Sequence, residues 1–258
     1  MKSRDGRQAD ATMRVRATVA YDGTDYSGFQ RQTNAPTVQA ALESALAQVT
    51  QEEVSVLAAG RTDAGVHAAG QTIAFDTVWR HGLDDLRRAL NAVLPVDIVV
   101  VEVEQAAESF HPRYDARSRW YRYSLYNATV RCPMNRRYKL HVAVPLDIAS
   151  MQRAAESLLG EHDFATFGRP PLGWKRSSVT VRRVIKAECS GTPPWLTFDI
   201  EANAFLYRMV RSISGTLLQV GRGRMSVEKF VSALEACDRS LAGPTAPPHG
   251  LCLMEVKY

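Results

Sequence analysis

The chain has 258 residues, enough for one large domain or two of ordinary size. Its 45% apolar and 23% charged residues suit a globular fold, and no apolar run approaches the roughly 18 residues that cross a bilayer, so no membrane association is expected. The net charge of +5 averages two unlike halves: residues 1–115 hold 11 Lys and Arg against 16 Asp and Glu, whereas residues 116–258 hold 21 against 11.

Residues 1–12 are polar and of mixed charge, without the apolar stretch of a signal peptide, and read as a disordered tail. Nothing in them directs export, so a cytoplasmic location is expected. From Arg14 to Tyr21, Val15, Ala17, Val19 and Tyr21 alternate as in a strand, and Asp22-Gly23-Thr24 follows as a turn. Pro36-Thr37 opens a helix with Thr37 as N-cap, and Val38, Ala41, Leu42, Ala45, Leu46 and Val49 form its buried face. Val54–Ala59 and Gln71–Thr77 predict strands. Leu83, Leu86, Leu90, Val93 and Leu94 predict a second helix stopped by Pro95, and Asp97–Val103 predicts a fourth strand. The order β-α-β-β-α-β is the ferredoxin-like split unit, a four-stranded antiparallel sheet with both helices on one face. RNA-recognition modules of this topology bind on the other face.

Trp120–Tyr126 predicts an aromatic strand and Leu146–Leu159 a helix. Val179–Glu188 and Leu196–Glu201 predict paired strands joined by the turn Ser190-Gly191-Thr192-Pro193-Pro194. Phe205–Val220 predicts a long apolar helix, Ser226–Cys237 another with Ser226 as cap, and Leu251–Tyr258 a closing strand. The expected fold is α+β: two ferredoxin-like or RRM-like halves, 13–108 and 109–258, joined near residues 105–118. Each carries an antiparallel sheet, and a cleft lies between the acidic half and the basic one.

The cysteines Cys132, Cys189, Cys237 and Cys252 form no C-x-x-C pair, so they read as buried fillers and not as a metal site or disulfide framework. Three basic stretches carry no acid: Ala116–Leu146 (including Arg117, Arg119, Arg136 and Arg137), Phe164–Ala187 (including Lys175 and Arg176) and Ala202–Val227 (including Arg208 and Arg211). Long acid-free stretches rich in Arg suit a surface that tracks phosphates.

The segment Gly60-Arg61-Thr62-Asp63-Ala64-Gly65-Val66-His67 lies between the second and third strands. Its glycines permit a tight turn and close approach of another chain. It lacks the Gly-Lys-Ser/Thr ending of a P-loop, and Asp63 and His67 have no second ligand pair nearby to make a metal site. Taken alone, an Asp in a Gly-rich loop is most often a turn-former.

The whole motif, however, resembles the signature loop of the tRNA pseudouridine synthase A family. Matching segments follow in order: Tyr21–Gln32, Thr37–Glu43, Tyr121-Arg122-Tyr123, His162–Phe167, Phe205–Arg211 and Ala246–Leu251. The resemblance runs from about Met13 to Tyr258. It implies an enzyme that breaks the glycosidic bond of a tRNA uridine, rotates the base and rejoins it through carbon, without metal, redox change or cofactor. It implies Asp63 as the catalytic carboxylate, acting on the base, on the sugar or on a sugar proton. It implies Arg61 and Arg211 beside Asp63, where a cation favours the charged carboxylate. Tyr121 is implied to pack on the target uracil, although Tyr123 shares its strand face. His67 reads as satisfying a backbone group. Arg117, Arg119, Arg136 and Arg137 are the candidate phosphate ligands. The resemblance further implies uridines 38, 39 and 40 of the anticodon stem-loop as targets and a homodimer whose subunits share one tRNA. A non-enzymatic RNA-binding module on the same scaffold would not need the Asp63 loop.

Overall fold

Alternation in β1 (Met13–Tyr21) buries Val15, Ala17, Val19 and Tyr21, as a pleated strand with one face in the core must. The computed structural model describes residues 12–169 and 180–258. The expected tail, apart from Thr12, lies outside them. α1 (Val38–Thr50) starts at Thr37, whose hydroxyl accepts the Ala40 N–H, and buries Val38, Leu42, Ala45 and Leu46. β2 (Leu57–Ala58) is shorter than the strand expected over Val54–Ala59. The Val56 N–H donates to the Glu43 carboxylate at 3.1 Å instead of joining a ladder. β3 (His67–Thr77) begins earlier than expected, so His67 is already in the sheet. α2 (Leu83–Val93) buries Leu86 and Leu90 and ends ahead of Pro95, and β4 (Ile98–Gln105) follows. The order is β4-β1-β3 with β2 on the far flank of β3, all antiparallel, which is the split unit the element order predicted.

The second half contains β5 (Ser118–Asn127), β6 (Leu140–Val142), α3 (Ile148–Glu156), β7 (Gly160–Asp163), β8 (Val181–Thr192), β9 (Trp195–Ala202), α4 (Met209–Gly221), α5 (Val227–Glu235) and β10 (Leu251–Lys257). Val179, the expected start of β8, lies outside the described residues. Strands pair antiparallel in the order β10-β5-β9-β8-β7, with β6 parallel to β5. α3, α4 and α5 pack on one another. α4 starts at Met209 and not at Phe205, because Arg208 takes the left-handed conformation with φ 59° and cannot continue a helical turn backward.

The two halves do not keep separate sheets. β10 pairs parallel with β3 (Cys252 opposite His67, Leu253 opposite Ala68) and antiparallel with β5 (Leu251 opposite Tyr123, Leu253 opposite Tyr121). The described strands therefore form one ten-stranded sheet. At the seam a Cβ on Gly70 would sit 2.4 Å from the Met254 carbonyl oxygen, so only glycine lets these backbones meet. His67, which ends the Asp63 loop, and Tyr121 thus lie on strands separated only by β10.

Candidate active site

The loop between β2 and β3 is tied down along its length. Gln71 Nε2 donates to the Gly60 carbonyl at 2.8 Å, and the Tyr21 and Thr62 hydroxyls share a hydrogen bond of 2.8 Å. The Phe29 N–H donates to Thr62 O at 3.1 Å, the Gly65 N–H to Tyr26 O at 3.3 Å, and the Val66 N–H to Asp63 O at 3.1 Å. The segment after β1 packs against the loop through glycines. A Cβ on Gly23 would fall 2.0 Å from Val66 O, and one on Gly28 2.8 Å from Thr62 O. The matching Tyr21–Gln32 segment is therefore the mould in which the Asp63 loop is cast.

Asp63 faces α4. Arg211, 148 residues further along the chain, donates from a terminal guanidinium nitrogen to Asp63 Oδ2 at 2.8 Å. The Arg211 Nε donates to Ala246 O at 2.9 Å, and the Ala246 N–H returns a bond of 2.9 Å to Arg211 O. The guanidinium is thus clamped before it meets the carboxylate, and the charge-assisted bond fixes Asp63 in turn. The Asp63 side chain keeps 22% exposure and that of Arg211 only 13%, so the carboxylate faces the open side of the pair. Arg208 Nε lies 3.9 Å from Asp63 Oδ2. Arg61 is exposed and pairs with no carboxylate among the described residues. The two cations at Asp63 are Arg211, as expected, and Arg208, which had counted only as part of a basic stretch.

Tyr121 is buried edge-on against Phe205, ring centroids 5.1 Å apart and planes at 87°. Burial raises its hydroxyl pKa, with the Asp63 charge adding to the rise and Arg119 opposing it. The hydroxyl makes no hydrogen bond among the described residues. Tyr123, two residues along the same face, donates to Pro247 O at 2.8 Å and lies against Gly250, where a Cβ would be 2.8 Å from the ring. Its polar group is committed to structure, and that of Tyr121 is not. His67 accepts the Gly23 N–H on Nδ1 at 3.1 Å, and its Nε2 lies 2.9 Å from Arg137 O and 3.2 Å from His249 O. Both nitrogens serve backbone groups.

Of the candidate phosphate ligands, Arg117, Arg136 and Arg137 are exposed, and Arg137 reaches Asp25 at 3.5 Å and Asp22 at 3.9 Å. Arg119 is not available: it is 9% exposed and its guanidinium donates to the carbonyls of Ala59 (3.0 Å), Arg113 (2.6 Å), Ala116 (3.2 Å) and Asn203 (2.9 Å). Sequence charge could not distinguish this buried tether from a surface cation. Lys175 and Arg176 lie outside the described residues. Cys189 is buried and Cys132, Cys237 and Cys252 are half-buried, and no disulfide joins any of them among the described residues. Among the described residues, no group of three or more His, Cys, Asp or Glu is placed to hold a metal ion, and no helix is long and apolar enough to cross a membrane.

The chain matches the family model described as tRNA pseudouridine synthase over residues 17–115 and 154–258. It is 45% identical over 249 residues to the tRNA pseudouridine synthase A of Moorella thermoacetica, covering 95% of this chain and 99% of that protein. The protein of that name from Chloroflexus aurantiacus is 48% identical over 245 residues, covering 93% and 87%. That from Brevibacillus brevis is 45% identical over 245 residues, covering 95% and 99%. A loop cast around one carboxylate, a clamped arginine against it and this similarity along nearly the whole chain converge: the chain belongs to the tRNA pseudouridine synthase family, isomerases that convert uridine in tRNA to pseudouridine.

Proposed function

We propose that the chain isomerises uridines 38, 39 and 40 of the tRNA anticodon stem-loop, with Asp63 as the catalytic carboxylate. The 2.8 Å pairing of Asp63 with a backbone-clamped Arg211, beside the uncommitted Tyr121 hydroxyl, carries this reading. In the reaction the N1–C1′ bond breaks, the uracil turns, C5 bonds to C1′, the C5 proton leaves and N1 gains one. Asp63 enters as a nucleophile toward base or sugar, or as a base toward a sugar proton. In each role it must be fixed and charged when the uridine arrives, and Arg211 serves that need. Positioning supplies much of the rate, since a carboxylate is a weak nucleophile. Tyr121 presents an aromatic edge and hydroxyl to a base withdrawn from its stack. Arg61, at the exposed edge of the loop, is suited to fill the place that base leaves. Arg117, Arg136 and Arg137 are proposed to meet tRNA phosphates. A homodimer whose subunits share one tRNA completes the proposal.

The Asp63→Asn protein is expected to lose turnover by about 10³-fold or more. Its affinity for tRNA stays near that of the unaltered protein, because the change removes a negative charge from a phosphate-binding surface. Full activity in the purified variant overturns the assignment of Asp63. In cells lacking the protein, pseudouridine is expected to vanish from the anticodon arm alone, and loss elsewhere overturns the choice of target.

A further inference from the structure

Next to Asp63, on the far side of Arg208, lies a cavity of about 120 Å³ whose lining includes Arg169, Arg208, Arg239, Tyr207 and Thr245. Three guanidinium groups line it, and no carboxylate does. The crowding is enforced by backbone. Arg169 is bridged to Tyr207 outside the main sheet, its N–H donating to Tyr207 O at 3.4 Å. Arg239 is steered by bonds to Thr245 Oγ1 at 2.9 Å and Thr166 O at 3.4 Å. Arg208, in the left-handed conformation just before α4, lines the cavity with its guanidinium 4.9 Å from the Tyr207 ring centre. Burial lowers the Arg239 pKa and the neighbouring Arg169 charge lowers it further, as for cations crowded together. Like charges gathered around a cavity are relieved by an anion, and guanidinium forks fit the oxygens of phosphate.

We propose that this cavity is a phosphate pocket that receives one phosphodiester of the tRNA strand carrying the target uridine. The inference rests on the reading of the Asp63 site as the place of uridine isomerisation. Arg208 borders both the pocket and Asp63, so one arginine reads the backbone while its edge faces the reacting carboxylate. A phosphate docked there fixes the register of the strand without reading its sequence, and the target uridine is delivered to Asp63 by geometry. Arg169 and Arg239 are positioning residues in this scheme.

The test is binding of whole tRNA across a salt series by the unaltered protein, Arg169→Gln, Arg239→Gln and the double variant. Arg169 is exposed, so its replacement leaves folding intact even if the Arg239 change does not. Each single variant is expected to bind tRNA about tenfold more weakly at moderate salt, a loss in line with one charge-assisted contact. Because both arginines serve one phosphate, the double variant should flatten the slope of log affinity against log salt by only about one in total. An Arg169→Gln protein with unchanged affinity and slope overturns the pocket, as does a double variant whose slope falls by about two, which marks two separate phosphates. Mapping pseudouridine in the same tRNA after treatment with the unaltered protein tests the parent reading separately. Modification outside the anticodon arm defeats that target and leaves the pocket standing on its salt slope.

Discussion

Tyr121 and Tyr123 show what a single side chain can and cannot announce. They share one face of β5 and are both buried, so alternation treats them alike. Only the fold reveals that a carbonyl 124 positions away in sequence consumes the Tyr123 hydroxyl and leaves that of Tyr121 unused. If Tyr121 receives the target uracil, Tyr121→Phe keeps the ring face and most of kcat/KM. Tyr121→Ala is then expected to lower kcat/KM by about 10- to 100-fold, the worth of roughly 1–3 kcal/mol of base stacking. Steady-state kinetics on a single tRNA checks this, and a Tyr121→Ala enzyme as active as the unaltered protein removes Tyr121 from the site. The loop around Asp63 stands out in the sequence for a different reason. Its neighbours form an eight-residue motif, whereas Arg208 sits in a segment whose apolar spacing simply reads as helix, and nothing in that spacing signals a positive φ.

Between elements, Arg119 joins β5 to the start of the Asp63 loop through the Ala59 carbonyl, and to the 113–116 segment and Asn203 as well. A hydrogen bond to a charged donor in a shielded site is worth more than its exposed equivalent, and removing the donor strands its acceptors. Arg119→Leu is therefore expected to cost about 3 kcal/mol of stability and to leave the salt dependence of tRNA binding unchanged. Denaturant unfolding and the salt series measure the two effects, and a stable variant with a flattened slope would return Arg119 to the phosphate surface. The β-α-β-β-α-β order of the first half and most helix starts match the sequence reading, the latter because caps such as Thr37, Asp147 and Ser226 are local devices, whereas the short strands β6 and β7 were not expected. β2 is shorter than expected because a Glu43 carboxylate takes the Val56 N–H, and β3 starts earlier because β10, far along the chain, pairs with His67 and Ala68.

For the molecule as a whole, the sheet of the second half also carries an ionic joint across β9, β5 and β10. Glu201 on β9 accepts from Ser118 at 2.6 Å and from Lys257 on β10 at 2.8 Å. Burial opposes its charge, but those hydrogen bonds and the lysine outweigh burial and leave its pKa below the ordinary 4.5. A carboxyl whose folded pKa is depressed stabilises the fold fully above its unfolded pKa and loses that contribution as pH falls through the folded value. Stability should therefore drop on acidification below 4.5, and the drop should be shallower in Glu201→Gln. Thermal melts from neutral pH into the acid range below 4.5 test this, because the contribution is lost as pH falls through the unfolded and then the folded value. Identical acid limbs in the two proteins exclude Glu201 as a contributor.

β10 was expected as a closing strand, but its place between the halves could not be read from its residues, because alternation does not name a partner. That place sets an order of events. Asp63, Tyr121 and Arg211 all precede Leu251 in the chain, so a growing polypeptide holds every group of the proposed chemistry before it holds the strand that brings them within reach of one another. Contacts of such long sequence separation close the largest loops and are slow to form. A ribosome-bound chain short of Leu251 is therefore expected to hold basic surface and Asp63 with no joined site, and reactivity toward tRNA is expected only once the sheet is sealed.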